Sequence, residues 1–290
     1  MKRTFFTAAN LIDGINAPKP NSTVVVDNDR IVAVGPDGGV PKPATGDTVF
    51  DLRGKSLMPG MVEGHFHAGY LNVSGMTDSG VKYPPTFVAL AAAKNAELLL
   101  RSGFTTAVGA GAPHNVDVAL REAIRLGMIA GPRLIACGHD IVTTGGPIDD
   151  SSGIEGLCRV CDGPDEFRKA IREEIKQGAD IIKLYVTGGH GFEMGANEGV
   201  MTFDEIQAAA QAAHERGRMV RGHVIARSAI KDCLRAQMDL LDHADAMDDE
   251  CIELMVKQNS YVTPSLYFTW KTTDYMRKRW TAERVAQEER

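Results

Sequence analysis

Apolar positions along the 290-residue chain follow two rhythms. Up to about residue 56, short β-branched or apolar runs alternate with turn residues. The runs are Thr4 to Ala9, Thr23 to Val26, Ile31 to Val34 and Thr48 to Leu52. Asn28-Asp29 reads as a hairpin-like turn, and Gly35-Pro36-Asp37-Gly38-Gly39 as a loop. The pattern predicts part of a small antiparallel sheet.

After Pro59-Gly60, apolar strands alternate with stretches of 3.6-residue periodicity. Strands are predicted at Met61 to His65, Thr105 to Ala110, Arg133 to Cys137, Asp180 to Val186, Met219 to Val224, Asp239 to Ala244 and Tyr261 to Leu266. Helices are predicted at Phe87 to Arg101, Val116 to Leu126, Asp165 to Gln177, Phe203 to Arg216, Ser228 to Ala236 and Asp248 to Gln258. Thr202 and Glu205 have the spacing of a capping box. Gly103, Gly127, Gly178 and Gly217 fit helix C-terminal ends. Such regular alternation implies parallel βαβ units, in a doubly wound sheet or a barrel. Beyond the seventh strand only Tyr267 to Arg290 remain, mostly charged and helix-like.

Composition narrows the class. With 43% hydrophobic and 24% charged residues the chain is an ordinary globular sequence, not a disordered or low-complexity one. A net charge of −6 without long basic blocks excludes the footprint of a nucleic-acid binder. No apolar run approaches the ~18 residues of a membrane span. Met1-Lys2-Arg3-Thr4-Phe5-Phe6 begins like a signal peptide, but polarity returns at Asn10 and Asp13, and the segment reads as a first strand. Five cysteines at irregular spacing suit a reducing, cytoplasmic compartment. Cys158 and Cys161 are spaced like half a zinc site, but without a second pair they read as two ordinary thiols in a loop. Cys137, Cys233 and Cys251 read as buried small hydrophobes.

The histidines carry the candidate chemistry. His65-Phe66-His67 ends a strand, so alternation puts both imidazoles on one face, where both can ligate one metal. His223 and His243 end two later strands. In a β/α barrel those ends converge on one mouth, and imidazoles gathered there suit Zn²⁺ or a similar divalent ion. Lys183 lies within the apolar strand Ala179 to Val186. Burial depresses a lysine pKa and favours the neutral amine. That amine can add carbon dioxide, giving an anionic carbamate able to bridge two metals. A lysine reaching the strand end to pair with a carboxylate is the other reading; beside the histidines the bridging role is preferred.

The run Leu57-Met58-Pro59-Gly60-Met61-Val62-Glu63-Gly64-His65-Phe66-His67 resembles the first-strand signature of the metal-dependent amidohydrolase superfamily. Ala179 to Gly189 resembles its carboxylated-lysine strand, and His223 and His243 match its fifth- and sixth-strand ligands. The N-terminal β-rich segment, with Gly35 and Asp51-Leu52-Arg53-Gly54, resembles the flanking sheet of the imidazolonepropionase- and prolidase-like branch. The fold class so implied is α/β: a TIM-type (β/α)8 barrel over residues 57–290, with seven strands visible. Residues 1–56 would form a small sandwich-like flanking domain.

The resemblance implies two divalent metal ions, zinc by preference. His65 and His67 would hold the more buried ion, His223 and His243 the more exposed one, and carboxylated Lys183 would bridge them. Lys183 and His243 would take the catalytic places. A hydroxide held between the ions would attack a carbonyl in an amide-type C–N bond. Expected substrates are dipeptides of the Xaa-Pro or Xaa-Arg kind, N-acyl amino acids or cyclic amides. The family's eighth-strand aspartate has no counterpart: Asp274 follows the seventh strand too closely, and the sequence reads as C-terminally incomplete. Thr144-Gly145-Gly146-Pro147 has proline where dipeptide-cleaving relatives often have histidine; His190 is a candidate substitute. His114, His139, Tyr70, Tyr185 and Arg227 are further candidate substrate contacts, and His214 reads as a surface residue. The expected partners are a small-molecule amide or dipeptide, and a second copy or a complementing C-terminal segment. The absent strand also prompts a different reading, a non-catalytic barrel or one subunit of a split hydrolase used in binding or assembly, because open strand edges demand a partner. Lactone or phosphotriester hydrolysis is the alternative within enzymes; deaminases of the superfamily usually lack the bridging lysine.

Overall fold

A computed structural model describes residues 2–71, 83–149, 156–189, 195, 198–267, 270, 271, 274, 277, 281, 282, 285 and 286. The chain divides into two compact units, Met1–Met61 and Val62–Arg290.

The first unit is a five-stranded sheet. It contains β1 (Arg3–Leu11), β2 (Lys19–Asp27), β3 (Arg30–Pro36), β4 (Thr48–Asp51) and β5 (Ser56–Leu57), in the order β3-β2-β1-β4 with β5 also on β1. Asn28, at φ 53°, makes the tight turn between β2 and β3. β1, β2 and β3 pair antiparallel as expected, but β4 and β5 run parallel to β1, so the sheet is mixed. The reason lies in the connection after β3. Asp37 accepts from Thr23 Oγ1, and Asp47 accepts from Arg3 N (2.9 Å) and Ala44 N (2.8 Å). These bonds carry the chain back to the start of β1, where β4 enters in register with Thr4.

The second unit alternates strand and helix. In chain order it has β6 (Met61–Phe66), α1 (Pro85–Arg101), β7 (Phe104–Gly109), α2 (Val116–Arg125), β8 (Arg133–Ile135), β9 (Asp140–Val142), β10 (Cys158–Val160), α3 (Gly163–Gln177), β11 (Ile181–Tyr185), α4 (Phe203–His214), β12 (Met219–Val224), α5 (Arg227–Arg235), β13 (Leu240–His243), α6 (Asp249–Gln258) and β14 (Tyr261–Thr263). Among the described residues the strands form two sheets, β6-β7-β8 and β10-β9-β11-β12-β13-β14, not one hydrogen-bonded ring. The sheets meet at both ends. Asp180 N and Ile181 N donate to Ala136 O at 2.7 and 3.2 Å. At the other end, a Cβ built on Gly64 of β6 would sit 3.2 Å from Thr263 Oγ1 of β14.

The expected third strand, Arg133 to Cys137, ends at Ile135 as β8, and a further short strand, β9, follows it. Asp117 of α2 accepts from Cys137 N (2.7 Å) and Gly138 N (3.1 Å), and Glu174 of α3 accepts from His139 N (3.2 Å). Side chains of two helices thus take backbone donors that a neighbouring strand would otherwise bond. The Cys158-to-Cys161 stretch is not a loop throughout: Cys158–Val160 is a short parallel strand on β9. Both thiols are free, as are buried Cys137, Cys233 and Cys251.

β11 shows how the site is placed. All five of its residues are buried, as in a strand covered on both faces. Ile182 and Leu184 join the core with Phe167 and Ile171 of α3, Ile206 of α4 and Ile230 of α5. Alternation leaves Lys183 and Tyr185 on the opposite face.

Candidate metal centre

Lys183 is fully buried, and its Nζ donates to Asp242 Oδ2 at 2.5 Å. Fully buried Arg221 is the next partner. Its Nε donates to the same oxygen (3.1 Å), its NH2 to Asp242 Oδ1, and its NH1 to Gly109 O (2.7 Å). Burial lowers the Lys183 pKa, and the Asp242 charge opposes it. Burial alone would raise Asp242, but Lys183, Arg221 and His65 hold it well below the usual carboxylate range.

The histidines at the strand ends gather against this cluster. Ring centroids are 5.0 Å apart for His65 and His67, 5.1 Å for His65 and His243, and 4.6 Å for His223 and His243. Their ring nitrogens have polar partners close by. His65 Nδ1 lies 3.1 Å from Asp242 Oδ1, and His67 Nδ1 lies 3.2 Å from Gly111 O. A carbonyl oxygen only accepts, so His67 Nδ1 carries the hydrogen and its Nε2 a lone pair; His65 Nδ1 meets both an acceptor, Asp242 Oδ1, and a donor, Arg221 NH2 at 3.2 Å, so its contacts serve either tautomer. The Nε2 atoms of His65 and His67 face each other at 3.1 Å. At that separation either His65 Nε2 donates to His67 Nε2, or both nitrogens turn lone pairs to a cation between them. Burial lowers the pKa of both rings, so a proton is disfavoured. Two nitrogens bound tetrahedrally to one zinc at about 2.0–2.1 Å stand about 3.3 Å apart. The pair therefore fits a metal ion. By the same rule Nε2 of His223, 3.3 Å from Gly188 O, carries the hydrogen and leaves Nδ1 as the donor atom. Among the described residues no three imidazole, carboxylate or thiolate groups converge on one point; the donors come in pairs.

Strand alternation would put Asp242 and His243 on opposite faces. His243 has φ 68° and Ala244 φ 54°, which breaks the extended backbone there. Both side chains consequently meet the same cluster.

The remaining candidates divide into groups. Tyr70 stacks on His67 (4.3 Å) and Tyr185 on His223 (4.7 Å), and burial raises both phenol pKa values well above normal. Arg227 Nε donates to Ala246 O (3.1 Å), and its side chain is exposed. His139 Nδ1 lies 3.1 Å from Glu174 Oε1, and with His114 it lines a groove that also takes in Val118, Glu122 and Gln177. The structure thus sets His139 and His114 against α2 and α3, apart from the contacts that gather the strand-end histidines. His214 pairs with Asp239 at 2.8 Å on the surface. His190 lies outside the described residues.

Three participants escaped the sequence reading. Arg221 was legible in principle, lying two residues before His223 on the same strand face. Asp242 was hidden by the broken alternation. Asp140 sits opposite Lys183 in the β9–β11 register, which no local pattern encodes. Its carboxylate is buried with both oxygens lacking a hydrogen-bond partner among the described residues, and burial pushes its pKa up to about 7.

An α/β unit with imidazoles at the ends of parallel strands is the class that fold and site define. The chain belongs to the amidohydrolase family, whose sequence profile matches residues 56–288. It is 28% identical over 279 residues to ochratoxinase of Aspergillus niger, covering 88% of this chain and 57% of that protein. The chain therefore spans little more than half the length of this relative. A Xaa-Pro dipeptidase crystallised with bound methionine superposes with a TM-score of 0.86 at 28% identity, over 99% of this chain and 73% of that one. A prolidase complexed with N-methylphosphonate-L-proline gives 0.86 at 26%, over 99% and 72%.

Proposed function

We propose that this chain is a metal-dependent hydrolase that cleaves amide-type C–N bonds in small substrates. The observation that carries the reading is the 3.1 Å approach of the His65 and His67 Nε2 atoms, a separation at which two ring nitrogens can share one metal ion. Family membership and the likeness to a Xaa-Pro dipeptidase and a prolidase support the choice of bond. In this reading the parallel strands are the wall of a (β/α)8 barrel over residues 57–290, and residues 1–56 are a flanking β domain.

His65 and His67 would hold one divalent ion and His223 and His243 a second, zinc by preference, with Lys183 carboxylated between them. Such ions supply a nucleophilic hydroxide at neutral pH and Lewis-acid polarisation of the scissile carbonyl. The chain's own residues prepare that chemistry. Asp242 and Gly111 O hold the His65 and His67 rings with Nε2 inward. Tyr70 and Tyr185 brace the imidazole faces by stacking. Burial lowers the Lys183 pKa toward the neutral amine that carbon dioxide requires, with the Asp242 charge opposing it. His190 and Arg227 are proposed to meet the substrate's carboxylate. Dipeptides with a free carboxylate, N-acyl amino acids and cyclic amides fit this plan, in a cytoplasmic setting.

A binding or assembly role is favoured by a separate observation. β14 ends the six-stranded sheet, and Tyr261 and Val262 on it are exposed at 54% and 37%. A further segment or a second copy would cover those exposed side chains.

The test is metal content and turnover. Protein loaded with zinc and bicarbonate is assayed for bound metal and for release of the amino acid from N-acyl amino acids and dipeptides. Two ions per chain, with both readouts lost in Lys183→Ala, support the reading. One ion or none in the parent chain sinks it.

A further inference from the structure

We infer that Asn95 is a positioning residue that, by pinning the loop after β6 to α1, holds the Tyr70 ring against His67. What this does for metal binding rests on the reading of His67 as a ligand. Asn95 lies on the inward face of α1, in step with buried Val88, Ala92 and Ala96. An amide at such a position costs stability unless it is hydrogen-bonded. Both of its hydrogens are used: Nδ2 donates to Ala68 O (2.9 Å) and to Tyr70 O (2.7 Å). Carbonyl oxygens only accept, so the NH2 side of the amide faces them.

The two carbonyls flank Gly69, which itself runs against α1. A Cβ on Gly69 would lie 2.6 Å from Val88 Cγ1, so the close approach leaves no room for a side chain. Tyr70 N donates back to His67 O (3.2 Å), closing residues 67–70 into a turn. Glycine leaves such a turn free to swivel, and the Asn95 amide removes that freedom. The result is ring on ring: the His67 and Tyr70 planes are 3° apart and their centroids 4.3 Å apart. The bonds of Asn95 go to backbone, so it acts on His67 through the placement of Tyr70.

The test uses the full chain with ¹³C-labelled histidine, as parent, Asn95→Asp and Asn95→Ala, with Tyr70→Leu as the unstacked reference and His67→Asn for assignment. Protons of an imidazole lying over a phenol face resonate upfield, so spectra of metal-free protein read the stack on His67. Chelator competition then reads zinc affinity. The parent His67 signals should lie upfield of those in Tyr70→Leu. Both Asn95 variants should lose at least half of that difference and bind zinc about 10-fold more weakly, the low end of the range for groups behind metal ligands. A side chain that only satisfied two carbonyls would change stability and leave both readouts at the parent values, and that result overturns the inference. A lost stack beside parent zinc affinity overturns it as well. If Asn95→Asp does not fold, Asn95→Ala decides by the same readouts. A parent chain that binds no zinc overturns the proposed function alone, because the metal-free shift still reports on Asn95.

Discussion

Lys183 Nζ and Asp242 Oδ2, 2.5 Å apart, join β11 to β13 over the intervening β12. Both side chains are fully buried, so each is the other's substitute for water. Removing one partner from such a pair is worse than lacking the pair altogether. Asp242→Ala should therefore destabilise the metal-free protein by about 3–5 kcal/mol. Urea denaturation measures it, and a loss below about 1 kcal/mol is incompatible with the buried pairing.

Gly111 is a second point where backbone and site are joined. It has φ 122°, and a Cβ there would lie 2.1 Å from Asp140 Oδ1 and 2.2 Å from Oδ2. Its carbonyl orients His67, and its N donates to Cys137 Sγ at 2.9 Å. Gly111→Ala should cost more than the ~1–3 kcal/mol of backbone strain alone and should weaken metal binding at His67. Gly127→Ala is the control, with φ 70° and open space around the added methyl. Equal losses in thermal unfolding of the two variants would refute the packing of Asp140 against Gly111.

How much of this was legible follows from what each feature depends on. The strands at Met219–Val224 and Ile181–Tyr185 are encoded by local runs of apolar residues, and the helices by their periodicity. The His65-x-His67 pair obeys simple alternation. The break after β8 was not legible, because its backbone donors are taken by Asp117 and Glu174 from distant helices. The placement of Asp242 was not legible either, since the left-handed backbone of His243 and Ala244 overrides alternation there. His139 reads as a strand-end residue in sequence, and only the insertion of Glu174 turns it toward α3.

Fold stability and site chemistry should separate at α4. Thr202 Oγ1 accepts from Glu205 N (3.4 Å), and Glu205 Oε2 accepts from Thr202 N (2.7 Å), completing the box anticipated from the sequence. Glu205 Oε1 also accepts from Gly163 N (2.8 Å), tying α4 to the start of α3. Thr202→Ala should lower stability by about 1 kcal/mol, the usual cost of losing an N-cap. Zinc affinity measured by chelator competition should stay within twofold of the parent. A large loss of affinity would mean that α4 controls the site.

Asp140 should make the stability of the metal-free chain depend on pH in a defined direction. Burial pushes its carboxyl from 3.8 up to about 7, with the Lys183 charge opposing. A raised native pKa means that the native state holds the proton more tightly than the unfolded chain does. The stabilising contribution is complete below the unfolded pKa and is lost as pH rises through the native one. Asparagine at this position does not titrate. The stability of the parent relative to Asp140→Asn should therefore fall between about pH 4 and pH 7 and level off above about pH 8. The total fall is of the order of a few kcal/mol, with about 4 as its ceiling. Urea denaturation of both proteins across that range, in bicarbonate-free buffer with chelator present, gives the difference directly. A difference that is flat, or that rises with pH, would show that Asp140 is ionised in the native state and that a cationic partner holds it there.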